Sequence, residues 1–168
     1  MSKRAKLVPI EEPEEHYRRE LYKIYKSILD TSLNVKKKRN LLTYLFAWEN
    51  WSWRVVGISV NALQKIKDND FVSNQGIVRG HINDRSKTYD LLTSKTVEYE
   101  EWWKTFWDND ATELVTKEEN GKKQTKSKIV EIDVSKGYFV SNGLVGFKFR
   151  KTAEGEYCRD IWKQKFKS

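Results

Sequence analysis

With one cysteine, Cys158, in 168 residues, the chain can form neither an internal disulfide nor a cysteine-built zinc cluster, so a reducing, cytoplasmic setting is expected. Long apolar runs are also missing. Hydrophobic residues make up 38% of the chain, mean hydropathy is −0.78, and nothing approaches the roughly 18–20 apolar residues of a membrane span. A soluble protein with no membrane partner is the expectation. Met1 to Ile10 carry charge but no apolar core of signal-peptide length, and Glu11 and Glu12 follow, which argues against ordinary secretion. Absent too are a glycine-rich phosphate loop, a Gly-x-Ser-x-Gly elbow, a His-Glu-x-x-His helix and paired cysteines, so the chemistries those motifs carry have no anchor here.

What is present is aromatic and charged. Seven tryptophans and an aromatic content of 13% argue against disorder, and the length suits one compact domain with an appendage, or two very small ones. The net charge of +8 is unevenly placed. Residues 1–58 hold twelve basic and seven acidic groups, residues 59–120 eight and twelve, and residues 121–168 twelve and five, or net +5, −4 and +7. Basic flanks around an acidic centre suit a protein that grips a phosphate backbone and holds a divalent cation between; a solvated basic surface would give the same excess without a partner.

Tyr17, Leu21, Ile24, Tyr25 and Ile28 recur at helical spacing, which predicts a helix over residues 14–29 with Pro13 at its start. Lys36-Lys37-Lys38-Arg39 then opens a second helix through Leu41, Leu42, Leu45, Phe46 and Trp48. The stretch from Trp53 to Ile66 reads as a helix-turn-helix, with Gly57 turning, Ser59 capping, and Leu63 and Ile66 inward. Asn61, Gln64 and Lys65 would then face outward, with chemistry suited to base edges and phosphate. Phe71 to Ile82 reads as a short strand or hairpin, and its Phe-Val-Ser-Asn string recurs at Phe139, an echo of turn chemistry rather than a repeat. Thr96 to Trp107 is a helix whose aromatic face is expected in the core. Gly121 to Lys128 has no apolar residue and four lysines, Lys122, Lys123, Lys126 and Lys128, which makes it a basic connector able to contact phosphate. Alternation after it predicts a small antiparallel sheet, closed by a terminal helix bearing Trp162 and Phe166.

Two strings bear on chemistry. Val78-Arg79-Gly80-His81-Ile82-Asn83-Asp84 resembles the first strand and turn of HNH (ββα-metal) homing endonucleases, and Asn109 to Asn120, with Leu114-Val115-Thr116 and a closing Glu119-Asn120, resembles their second strand and helix. The resemblance covers about a quarter of the chain. It implies His81 as general base, Asn109 as the residue that orients it, and Asn120 as a helix-borne metal ligand, with Arg79 beside them in the candidate catalytic set. Gly80 stands where the family usually has an acidic metal ligand, so Asp84 or Asp110 would have to supply the carboxylate, and Tyr89 to Trp107 would be a helical insertion. A PD-(D/E)XK-type nuclease finds no acid-x-Lys triplet on a predicted strand. In a ββα-metal site neutral imidazole deprotonates water near neutral pH while Mg²⁺ or another divalent cation stabilises charge on the phosphate.

The resulting expectation is an α+β chain: a helical basic region over 1–70, an acidic ββα-metal-like segment with a helical insertion over 71–120, and a basic linker with a small β-rich region over 121–168. Its expected activity is site-specific cleavage of double-stranded DNA, of homing or restriction type. Alternatives are a non-catalytic DNA-binding module, or an interaction or structural protein whose tryptophan helix is simply core; without catalysis, His81, Arg79 and Arg85 would form ordinary polar surface or an Arg–Asp pair with Asp84 or Asp110.

Overall fold

The computed structural model describes residues 7–121 and 127–166. The first helix, α1 (Glu15–Leu29), follows the predicted stripe but buries only Leu21, Tyr25 and Ile28 from it; Tyr17 and Ile24 remain exposed. Hydroxyl bonds fix its position. Tyr22 Oη donates to the Val97 carbonyl at 2.7 Å and Tyr25 Oη to that of Leu92 at 2.8 Å, which satisfies polar tips whose rings are in the core. Helix α2 (Val35–Phe46) starts at Asn34, whose side chain accepts from the Lys37 amide at 3.0 Å. Two members of the basic run act within the molecule: Lys38 Nζ caps the Leu29 carbonyl at the end of α1, and Arg39 pairs with Asp90.

The segment expected as a helix-turn-helix is instead a strand followed by a helix, β1 (Val55–Ser59) and α3 (Val60–Asp68). Ser59 does cap α3, its Oγ accepting from the Ala62 amide at 3.0 Å, and Leu63 and Ile66 are buried. Gly57 makes no turn. A β-carbon there would lie 2.5 Å from Ile129 Cγ2, so the missing side chain allows close approach of a neighbouring strand. The chain continues through β2 (Ile77–His81), α4 (Arg85–Ser94), α5 (Tyr99–Asn109), β3 (Thr112–Thr116), the single-turn helix α6 (Lys117–Gly121) and β4 (Ile129–Glu131).

These strands form one sheet in the order β2-β3-β1-β4, with β1 and β3 parallel and both edge strands antiparallel to their neighbours. Strands from all three expected segments therefore share it. The small antiparallel C-terminal sheet is present as β5 (Ser141–Asn142) and β6 (Gly146–Phe147), while β4 joins the main sheet. Residues 137–140 are irregular. The Phe-Val-Ser-Asn echo has a shared geometry: Phe71 and Phe139 both have positive φ, near 60° and 56°, with their rings buried. Helix α7 (Glu156–Phe166) closes the chain.

This α+β architecture has two cores. One joins α1, α2, α4 and α5 around Tyr25, Phe46, Trp51, Trp102 and Phe106, with Phe46 and Phe106 stacked at 4.0 Å, so the aromatic face of α5 is packing. The other packs α3 and α7 on the sheet through Ile58, Leu63, Ile66, Leu114 and Cys158. Burial pushes the Cys158 thiol up to about 12, which leaves it an inert core group. No helix of the described residues is long and apolar enough to cross a membrane.

Candidate functional site

Strands β2 and β3 run antiparallel, with Ile77 opposite Thr116 and His81 opposite Thr112, and α6 follows β3 without a linker. Helices α4 and α5 occupy the connection between the strands. The start of α6 is set by a reciprocal cap. Thr116 Oγ1 accepts from the Glu119 amide at 3.1 Å, and Glu119 Oε2 accepts from the Thr116 amide at 2.9 Å.

Glu119 also accepts from Ser59 Oγ at 2.7 Å, Asn61 Nδ2 at 3.1 Å and Ser127 Oγ at 2.6 Å. Burial alone would raise its pKa, but the donors of Ser127, Ser59 and Thr116 outweigh it and hold the carboxylate at about 2. An ionised anchor thus ties the single turn that carries Asn120 to the start of α3. The Thr-x-x-Glu spacing of Thr116 and Glu119 is the sequence signal that reveals it.

His81, Asn120, Arg79, Asp84, Arg85 and Trp53 line one cleft of about 540 Å³, which Leu144 and Val145 border. Trp53 is its buried platform. The guanidinium carbons of Arg79 and Arg85 lie 5.1 and 5.8 Å from its ring, and the imidazole of His81 meets it edge-on at 6.0 Å. Burial first, then the charges of Arg85 and Arg79, push the pKa of His81 down to about 4 against the opposing pull of Asp84. The imidazole is neutral at pH 7 and able to accept a proton. Arg79 Nη1 is buried with no hydrogen-bond partner among the described residues, and its Nη2 reaches only the Gly143 carbonyl, at 3.5 Å. Burial lowers its pKa to about 10, with Asp110 pulling the other way, so it remains a cation with donors to spare.

The other expected site residues do not line this cleft. Asp110 is buried, with Oδ2 accepting from the Trp53 amide at 2.6 Å and lying 3.5 Å from Arg54 Nη1. Burial pushes its pKa up against the opposing pull of Arg54, the Trp53 amide and Arg79, and the carboxyl is absent from the cleft wall that bears Asn120. Asn109 donates to the Thr105 carbonyl of its own helix at 2.7 Å and makes no hydrogen bond with His81; with Asp110 and His81 it borders a separate cavity of about 10 Å³. The polar groups of α3 are engaged within the molecule. Asn61 bonds Glu119, Gln64 donates to Asp68 at 2.5 Å, and Lys65 lies 3.7 Å from Glu118. Lys122, Lys123 and Lys126 fall outside the described residues, while Lys128 is exposed immediately before β4. His16 is exposed beside Glu14.

A divalent cation implied by the nuclease resemblance can be tested against these donors. A β-carbon at position 80 would sit 3.0 Å from Asn120 Oδ1, so Gly80 leaves open the space in front of that oxygen which a side chain would fill. Asp84 supplies a carboxylate on the same cleft wall, one oxygen of which caps the Ser86 amide at 2.8 Å. An amide oxygen and a carboxylate suit Mg²⁺, which keeps several waters and takes further ligands from phosphate. They do not make an all-protein cage, and no group of three His, Cys, Asp or Glu among the described residues could hold a metal ion. Compared with family models, curated proteins and solved structures, the chain has no match in any of the three.

Proposed function

We propose that this chain is a metal-dependent endonuclease that hydrolyses phosphodiester bonds in DNA. The observation that carries the reading is the meeting of His81 and Asn120, distant in sequence, in one arginine-bearing cleft across a strand–strand–helix unit. His81 takes a proton from the attacking water at a ring nitrogen kept neutral by burial and by Arg85 and Arg79. Arg79 and Arg85 supply the positive face that holds the phosphate oxygens, and Trp53 fixes both guanidinium groups. Asn120 and Asp84 are the groups that would hold the cation. When bound, it would stabilise charge on the scissile phosphate and the leaving oxygen.

The test is incubation of plasmid and genomic DNA with Mg²⁺ or with EDTA. Discrete fragments formed only with metal support a site-specific nuclease; binding without cleavage in any metal would leave a DNA-binding module. Asn120→Ala should weaken metal affinity, so that its residual cleavage recovers at high Mg²⁺ or with Mn²⁺. Wild-type metal dependence in that variant would remove Asn120 from the site.

Binding should depend steeply on salt. Neutralising Lys122, Lys123, Lys126 and Lys128 together should flatten the slope of log affinity against log salt by about 1 for each phosphate that these lysines neutralise. An unchanged slope takes the connector off the DNA surface.

A further inference from the structure

The two most exposed large apolar side chains among the described residues, Val145 at 76% and Trp48 at 72%, belong to one small structure beside the cleft. Val145 is at the tip of the β5–β6 hairpin and borders the cleft with Leu144. Trp48 follows the end of α2 and lies against the same hairpin: a β-carbon at Gly143, whose φ is +80°, would be 3.3 Å from Trp48 Cη2. The backbone beside the indole is tied to the hairpin. Ser141 Oγ donates to the Ala47 carbonyl at 3.2 Å, joining the hairpin to the residue before Trp48, and the Gly143 carbonyl receives Arg79 Nη2. One continuous chain of neighbours thus leads from a guanidinium in the cleft to an uncovered indole.

Folding does not account for this exposure, because of the other six tryptophans Trp51, Trp53, Trp102 and Trp103 are buried and Trp107 and Trp162 are half-buried against the cores. A cationic cleft with an apolar, aromatic rim has the polarity of a nucleotide, with phosphate at one end and an unstacked base at the other. A base within continuous duplex is stacked on both faces and has no face to offer an indole; an unpaired base does.

Resting on the nuclease reading above, we infer that the preferred substrate is DNA whose stack is interrupted at the cleavage point, with Trp48 stacking the unpaired base next to the phosphate held by Arg79 and Arg85. Leu144 and Val145 cover the apolar side of the same nucleotide. The recognised feature is the exposed face of a base, so the preference is for an unpaired nucleotide whatever its identity.

The experiment measures binding in EDTA, where cleavage does not interfere, to three fluorescein-labelled probes: a continuous duplex, the same duplex with a short run of unpaired thymines at its centre, and a thymine single strand. Wild-type protein should bind the two probes with unpaired bases more tightly than the continuous duplex. Trp48→Ala should weaken binding to those two by about 5- to 100-fold and leave the continuous duplex nearly unchanged, whereas Trp48→Phe, which keeps a stacking face, should retain most of the preference. Melting temperature is read beside binding, and since the indole is exposed the variant should fold as wild type does. Equal affinity of the wild type for all three probes, or a Trp48→Ala variant that keeps the preference, overturns the inference and leaves the nuclease reading standing. Failure of the wild type to bind any probe overturns both.

Discussion

Replacing His81 with alanine should abolish metal-dependent cleavage, a loss of about 10²–10⁴-fold for removal of a general base, while DNA affinity stays near wild type. On the proposed reading the two effects separate because imidazole would act on water, whereas affinity would come from contacts of the arginines to the phosphate backbone. The pH dependence is more specific. In the unfolded chain His81 titrates near 6.5, and in the fold near 4, with burial the largest cause and Arg85 and Arg79 next. The base form therefore persists well into acid, and the acid limb of kcat/KM should fall near pH 4 rather than near 6.5. Arg85→Ala removes a positive charge and should move that limb upward. Stability follows the same shift: between these pH values the unfolded chain holds the proton that the folded chain refuses, so stability declines as pH drops from 6.5 to 4, and His81→Ala removes that part of the slope. Wild-type cleavage by His81→Ala would discard the nuclease mechanism.

Local patterns foretold local elements. The stripe through Leu21, Tyr25 and Ile28 marked α1, the string Leu114-Val115-Thr116 before Lys117 marked the step from β3 to α6, and the aromatic face of α5 is core as its spacing implied. Around Gly57 the expected turn fails for a physical reason. A glycine before a capping serine looks alike whether it turns a chain or lets strands approach, and only Ile129, far along the sequence, distinguishes the two. The exposed hairpin tip at Val145 gave no local signal either, because its neighbours Trp48 and Arg79 come from distant segments. For the site, His81, Arg79, Asp84 and Asn120 could be read from the strings that hold them, and they do line one cleft. Trp53 could not, since its left-handed backbone, φ 52°, is imposed by partners contributed from β3 and its approach.

Those partners give Asp110 a structural part, away from the cleft wall that bears Asn120. Its Oδ2 accepts from the Trp53 amide at 2.6 Å, while Thr112 Oγ1 donates to the Trp53 carbonyl at 3.0 Å, so both backbone groups of a residue in an unfavourable conformation are clamped from one direction. Arg54 adds to the clamp by ion-pairing with Asp110, donating to the Trp107 carbonyl at 2.6 Å and covering the Trp107 ring at 3.6 Å. Asp110→Ala leaves the Trp53 amide without its acceptor and the buried Arg54 without its counter-charge, and should cost about 3 kcal/mol, or roughly 6–12 °C in Tm. Asp110→Asn keeps an oxygen for the amide and should lose less. Cleavage should fall in step with stability, because a released Trp53 no longer supports Arg79, Arg85 and His81. Metal is the deciding variable. Asn120→Ala should recover with Mn²⁺ at unchanged Tm, whereas Asp110→Ala should stay impaired at every metal concentration. An Asp110→Ala protein with wild-type Tm and Mn²⁺-restored cleavage would make Asp110 a metal ligand after all, and would mean that Trp53 holds its conformation without it.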